Sequence, residues 1–107
     1  MAFEIILAPE AVADLRRLSA YHRAKVRGAM EVHLRHEPTK VSKSRIKRLR
    51  GMSRPQYRLR VDELRVFYDV AGEEVQVLAI VAKSDADAWL AEKGQADENG
   101  PALGNQG

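Results

Sequence analysis

The feature that most restricts the fold is a pair of alternating segments, Tyr57–Val61 and Leu64–Val70, separated only by Asp62-Glu63. Two residues between strands leave room for a tight antiparallel hairpin and little else. A turn centred there sets Val61 against Leu64, Arg60 against Arg65, Leu59 against Val66 and Arg58 against Phe67. Side chains alternate across a strand, so Tyr57, Leu59, Val61, Leu64, Val66, Tyr68 and Val70 share one nearly dry face. Arg58, Arg60, Arg65, Phe67 and Asp69 share the other, which is expected to be open.

The dry face needs an apolar cover, and the chain supplies one upstream. Ala2–Ala8 reads as a first strand, ended by Pro9, which suits the first turn of a helix carrying Val12, Leu15 and Leu18. Ser19 is expected to stop that helix and cap a second, from about Ala20 to His36, with Val26, Met30 and His33/Leu34 on one face. Pro38 closes it. Downstream, Ile46–Leu49 reads as a short strand, Gly51–Pro55 as a turn and Val75–Ala82 as a last strand. Ser84 or Asp85 then caps a short helix through Leu90, anchored by Trp89.

The predicted class is α+β, in the order β-α-α-β-β-β(-α), with a helical hairpin packed on a mostly antiparallel sheet. One domain is expected over residues 1–93, and residues 94–107, poor in apolar side chains, are expected to form a disordered tail.

Charge is unevenly spread. Ten of the eighteen Lys and Arg residues fall between Lys40 and Arg65, against Asp62 and Glu63 alone, so this stretch is net +8. The other 81 residues, eight basic and thirteen acidic, carry −5 and bring the chain to its formal +3. A concentrated basic field on a small domain is the footprint of a polyanion binder; a solvated basic surface is the alternative. Lys40, Lys43, Arg45, Lys47 and Arg48 suffice to hold an RNA backbone in a salt-sensitive way.

Other chemistries are narrowed by what is missing. Without Cys the chain has no disulfide, no thiol nucleophile and no Cys-ligated zinc, and a reducing cytoplasm is its expected setting. The longest apolar run, Val75–Ala82, is broken by Gln76 and too short to cross a membrane. The N-terminal segment lacks the basic lead and cleavage site of a secretory signal. His22, His33 and His36, with Glu37 the nearby carboxylate, read as helix-surface residues; no metal site and no cofactor is expected.

Arg60 opposite Arg65 places like charges across two strands, a cost of up to about 1 kcal/mol. A chain accepts that cost more readily where an anion fills the gap, although Asp69, Glu63 or bulk water could also neutralise the cluster. Asp69 reads first as a plain salt-bridge partner, with orienting Arg65 or acting as a base as the alternatives, and Tyr68 as core. Arg presents planar forks to phosphate, and Phe67 on an open face offers a ring on which a base could stack.

These residues carry a family resemblance. Ile46-Lys47-Arg48-Leu49-Arg50-Gly51, Tyr57-Arg58-Leu59-Arg60-Val61 and Leu64-Arg65-Val66-Phe67-Tyr68-Asp69-Val70 resemble the RelE/ParE superfamily of bacterial toxins, and the likeness of element order extends over residues 2–91. The resemblance implies the toxin of a type II toxin–antitoxin pair, neutralised by a cognate antitoxin through which alone it would meet operator DNA. RelE-like members cut mRNA, typically in the ribosomal A site, by attack of the RNA's own 2′-hydroxyl on the adjacent phosphate. ParE-like members poison DNA gyrase instead, and a pure binding module of the same fold is a third reading.

Carried over by position, the basic residues of the RelE tyrosine-led strand fall on Arg58 and Arg60, that of the following strand on Arg65, and one lining the substrate groove on Arg50. The RelE arginine after the last strand and the tyrosine of the last helix fall on Ser84 and Leu90, with Lys83 and Trp89 beside them. Arginine stays protonated, so Arg60 cannot act as a general base but can clamp a pentavalent phosphorane. The expected catalytic set is Arg58, Arg60, Arg65 and Lys83, with Lys83 as the acid. The expected RNA-binding set is Lys43, Arg45, Lys47, Arg48, Arg50 and Phe67, with Phe67 or Trp89 stacking a base.

Overall fold

The apolar face of the central hairpin lies at the heart of the molecule. A computed structural model describes residues 2–97. In it β1 (Glu4–Leu7) leads into α1 (Pro9–Arg17) and α2 (Ala20–Leu34). Then follow β2 (Ile46–Arg48), β3 (Met52–Arg54), β4 (Tyr57–Val61), β5 (Leu64–Ala71), β6 (Glu74–Ala82), α3 (Ala86–Lys93) and β7 (Gln95–Ala96). The β4–β5 register pairs Val61 with Leu64, Arg60 with Arg65 and Arg58 with Phe67, as the alternation predicts. Asp62 turns the corner at φ 53°, a left-handed conformation that Asp tolerates better than most residues.

Leu59, Val61, Val66 and Tyr68 pack with Ala11, Leu15, Val26, Met30 and Leu34 of the helices into one core. Tyr68 is fully buried, and its hydroxyl donates to the Pro38 carbonyl at 2.6 Å, so a large ring is buried without stranding its polar end. Burial raises the Tyr68 pKa well above the ordinary phenol value.

Local signals start both helices. Pro9 opens α1, and Ser19 caps α2 by accepting the His22 amide at 3.2 Å. The four-residue spacing of Val26, Met30 and Leu34 puts all three on the buried face. Arg23 ties the hairpin together by donating to the carbonyls of Leu15 (3.3 Å) and Leu18 (2.8 Å) at the end of α1. The second helix stops at Leu34, short of the expected His36, and Arg35 donates instead to the Phe3 carbonyl at 2.9 Å.

The main sheet runs β1-β6-β5-β4-β2, with β1 parallel to β6 and the other pairs antiparallel. A register shift sets Phe67 against Ala79 but Tyr68 against Val77, leaving Leu78 as a bulge in β6. Val77 and Ile80, three residues apart, both enter the core as a result. Asp14, 8 % exposed, accepts the Ile80 amide at 2.9 Å through one carboxylate oxygen and pairs with Arg17 through the other. This bond pins α1 to the sheet where the ladder is interrupted.

Expectations for the 51–55 turn, the tail and the last helix need correction. Residues 51–55 hold more than a turn, because β3 pairs with β7 in a second, two-stranded ribbon. Regular structure therefore continues past residue 93 into the first residues of the expected tail; residues 98–107 lie outside the described part. The last helix runs to Lys93 after a 3₁₀ turn at Lys83–Asp85, and Asp85 precedes it without making a side-chain cap bond. Ser84 lies within the 3₁₀ turn.

Candidate functional site

On the sheet side away from the α1–α2 hairpin, strand pairing assembles cations that are distant along the chain. Lys47 of β2 stands across from Arg58 of β4, and Arg60 stands across from Arg65 of β5. Lys47 and Arg60 are exposed and Arg58 is half-buried. Arg65 is only 6 % exposed, and its Nη1 folds back on the hairpin tip, donating to the carbonyls of Asp62 (3.0 Å) and Leu64 (2.9 Å).

The strain of the cluster falls on Arg58. Its pKa is lowered first by burial and then by the charges of Arg65 and Arg60, and its Nε has no hydrogen-bond partner. Among the described residues, no carboxylate forms an ion pair with it. Asp69, expected as a plain salt-bridge partner, is one, but of Arg54 (Nε at 3.9 Å); it also accepts the Gln56 amide at 2.7 Å and does not orient Arg65. Asp62 pairs with Lys25 at 2.9 Å. A guanidinium half removed from water, repelled by two others and with its Nε unpartnered can take an anion as its hydrogen-bond partner.

The expectation of an open face holds only in part. The Trp89 ring of α3 lies parallel to Phe67, 3° between planes and 4.9 Å between centroids, and its indole N–H donates to Glu10 at 3.2 Å. Phe67 is 0 % exposed, so it cannot stack a base, a correction to its assignment as an RNA-binding ring. The helix walls off the face at β5, while Lys47, Arg58 and Arg60 line the uncovered part over β2 and β4. An aromatic at outward parity together with a lone Trp in the last helix was the signal in the sequence for this closure.

The remaining predicted residues divide. Arg48 has inward parity; its guanidinium sits 5.4 Å from the Tyr57 ring centre and donates to the carbonyls of Leu49 (2.8 Å) and Gln56 (2.9 Å), clipping the loop between β2 and β4. Arg50 is exposed in that loop, beside Gly51 at φ 73°. Arg45, whose carbonyl accepts the Arg60 amide at 2.8 Å, lines a recess with His33, Glu37 and Lys40 at the β2 edge, and Lys43 is exposed in the preceding segment. Lys83 starts the 3₁₀ turn one residue after Ala82, the partner of Leu64, and its amide donates to the Glu63 carbonyl at 2.7 Å. It is exposed and shares a recess of about 400 Å³ with Glu63, Ser84 and Asp87. The sequence reading passed over Arg54, which borders the face through Asp69.

A larger cleft, about 670 Å³, lies on the opposite side, floored by Ile5, Leu7, Val12, Leu15 and Met30. It is remote from the arginine cluster. Among the described residues, no three His, Cys, Asp or Glu side chains converge to hold a metal ion. None of the described helices is long and apolar enough to cross a membrane.

The profile of the ParE toxin of the type II toxin–antitoxin system parDE matches residues 5–86, which include both helices of the hairpin and every strand of the main sheet except the first residue of β1. The chain belongs to this toxin family. Solved structures agree with the membership at the level of the fold. In the archaeal RelE–RelB complex from Pyrococcus horikoshii OT3, the matching chain is 22 % identical, with a TM-score of 0.64 over 78 % of this chain and 97 % of that one. A double-arginine mutant of the E. coli toxin RelE in the free state is 21 % identical, with a TM-score of 0.63 over 83 % and 92 %. The Mycobacterium tuberculosis RelBE2 toxin–antitoxin complex matches at 21 % identity and 0.58 over 77 % and 99 %. No curated protein matches the sequence. This is a RelE/ParE-superfamily toxin of α+β fold.

Proposed function

We propose that this toxin is a cytoplasmic mRNA endoribonuclease that arrests translation and is neutralised by a cognate antitoxin. The observation that carries the reading is Arg58, half-buried, short of a partner and flanked by Arg60 and Arg65 on the face left open by α3. A phosphodiester seated there accepts from these guanidinium groups and relieves their repulsion. The 2′-hydroxyl of the same nucleotide attacks the phosphorus and gives up its proton. The bond to the 5′-oxygen breaks, and that oxygen takes a proton, leaving a 2′,3′-cyclic phosphate and a 5′-hydroxyl. Arg58 and Arg60 hold the phosphorane's added negative charge, and Arg65, bonded to its own turn, holds the row in place. Lys83 lies two strands over from Arg58, in a recess with Glu63, Ser84 and Asp87, so water supplies the proton to the leaving oxygen. The arginines cannot take the proton from the 2′-hydroxyl, so that role falls to water or the RNA. An acidic antitoxin segment competes for the same cations.

A second reading, a gyrase poison, is favoured by two observations: the family profile is that of ParE, and Phe67 is closed off from any base. Induced expression in bacteria with genome-wide mapping of RNA 5′ ends separates the two. New ends inside coding regions, lost in an Arg58→Ala, Arg60→Ala double mutant, are expected. Growth arrest with intact RNA and a DNA-damage response overturns the nuclease reading in favour of gyrase.

A further inference from the structure

The loop between β2 and β4 carries Arg50 and Arg54, and its local bonds are concentrated at its ends, with a longer reach from Arg48 Nη1 to the Met52 carbonyl at 3.5 Å and from Arg54 to Asp69 at 3.9 Å. Leu49 donates its amide to the Gln56 carbonyl at 2.8 Å, and Arg48 clips the same two residues. The middle is held from the far end of the chain. Strand β7 sets Ala96 against Met52 and Gln95 against Arg54, and the Asp97 amide donates to the Gly51 carbonyl at 2.8 Å. The Ser53 hydroxyl lies 3.3 Å from the Gln95 carbonyl and 3.4 Å from that of Ala96.

The join to α3 is equally tight. The Gly94 amide donates to the Leu90 carbonyl at 2.9 Å, and a Cβ added at Gly94 would lie 2.6 Å from that oxygen and against the Met52 methyl. The methyl can swing away; the helix carbonyl cannot without moving the helix end. Glycine is required here by close approach, since its φ is an ordinary −73°. The loop leaves the sheet at the Tyr57 end of β4; Arg54 lies there beside Asp69 and lines a recess with Glu10, Leu78, Trp89 and Lys93, and Arg50 is exposed.

We infer that the C-terminal strand, Gln95–Ala96 with the Asp97 amide, is a positioning element for single-stranded RNA: it holds the Arg50/Arg54 loop as a continuation of the cationic sheet face. This rests on the RNA reading above. The strand itself need not touch the RNA; it fixes where two arginines meet the phosphates that follow the one at Arg58.

The test uses the full chain and a short unstructured RNA oligonucleotide, with affinity measured across a salt series. Gly94→Ala and Asp97→Pro, one crowding the junction and one removing an amide donor, are expected to weaken binding severalfold. They should also lower the log–log salt slope by about 0.7 for each arginine displaced. In an Arg50→Ala, Arg54→Ala background the same changes should have no further effect on the slope. Circular dichroism of the α+β fold and the melting temperature are read alongside. Variants that melt earlier but keep the parent's slope overturn the inference, because the strand is then structural only. A further fall in slope without the two arginines also overturns it. If the unmodified chain shows no salt-sensitive RNA binding, the RNA reading itself fails first, and Arg58→Ala then changes nothing.

Discussion

Phe67 and Trp89 stack as parallel rings 4.9 Å apart, and this contact converts one side of an open sheet into a walled face. The pair joins the middle strand to the last helix, and the indole N–H extends the tie to Glu10 on α1. Trp89→Ala removes the wall and uncovers Phe67. A loss of about 2–4 kcal/mol in unfolding free energy is expected, judged by urea denaturation. A midpoint unchanged from the parent would mean that α3 does not hold this face.

Arg58 is predicted to trade stability for binding. Replacing it with Ala relieves the repulsion from Arg60 and Arg65 and removes an unpartnered buried Nε. Unfolding free energy is expected to hold or to rise by up to about 1 kcal/mol, while RNA affinity falls. Paired melting and binding measurements check this; destabilisation of more than about 1 kcal/mol would show that Arg58 has a native partner.

Asp69 predicts a pH effect. Burial is the largest influence on its carboxyl and raises the pKa, opposed by the Gln56 amide, Arg54 and Arg48. A folded-state pKa above the unfolded one means that the native chain binds this proton more readily. Its contribution is complete below the ordinary carboxylate value and is lost as pH rises through the raised one. Asp69→Asn keeps an oxygen for the Gln56 amide and carries no charge. Its stability relative to the parent should therefore increase between about pH 3.5 and about pH 7, measured by denaturation at both ends. A difference that shrinks with rising pH contradicts the raised pKa.

Asp14 predicts the value of the α1–sheet tie. Asp14→Ala leaves the Ile80 amide buried without its acceptor, at a cost of about 1–3 kcal/mol. Asp14→Asn retains an acceptor oxygen and should cost less. Hydrogen exchange at the Ile80 amide offers a local readout: it should accelerate in the Ala variant well beyond the Asn variant.

Much of the fold was legible in the chain because the relevant forces are local. A two-residue turn and period-two alternation determine the β4–β5 register, and with it the meeting of Arg60 with Arg65. Ser19, Pro9 and the spacing of Val26, Met30 and Leu34 likewise place the helices through near neighbours. Parity also separates Arg58 and Arg60 from the core, so the cationic face and the resemblance built on it could be read without coordinates.

What tertiary structure alone decided depends on partners far apart in sequence. Alternation tells which side Phe67 takes, but not that Trp89 will cover it, since an outward face and a covered face have the same period. Arg48 and Arg50 look alike in a basic run and both are exposed, yet Arg48 is tied to loop carbonyls across the base of the loop. The bulge at Leu78 breaks the period where Asp14 waits 66 residues upstream to take the Ile80 amide. The ribbon of β3 with β7 joins two short segments whose individual strand signals are too weak to read, and only their pairing makes either a strand. The sequence by itself determined the faces and the charge; the long-range contacts determined which of those charges remain open to a ligand.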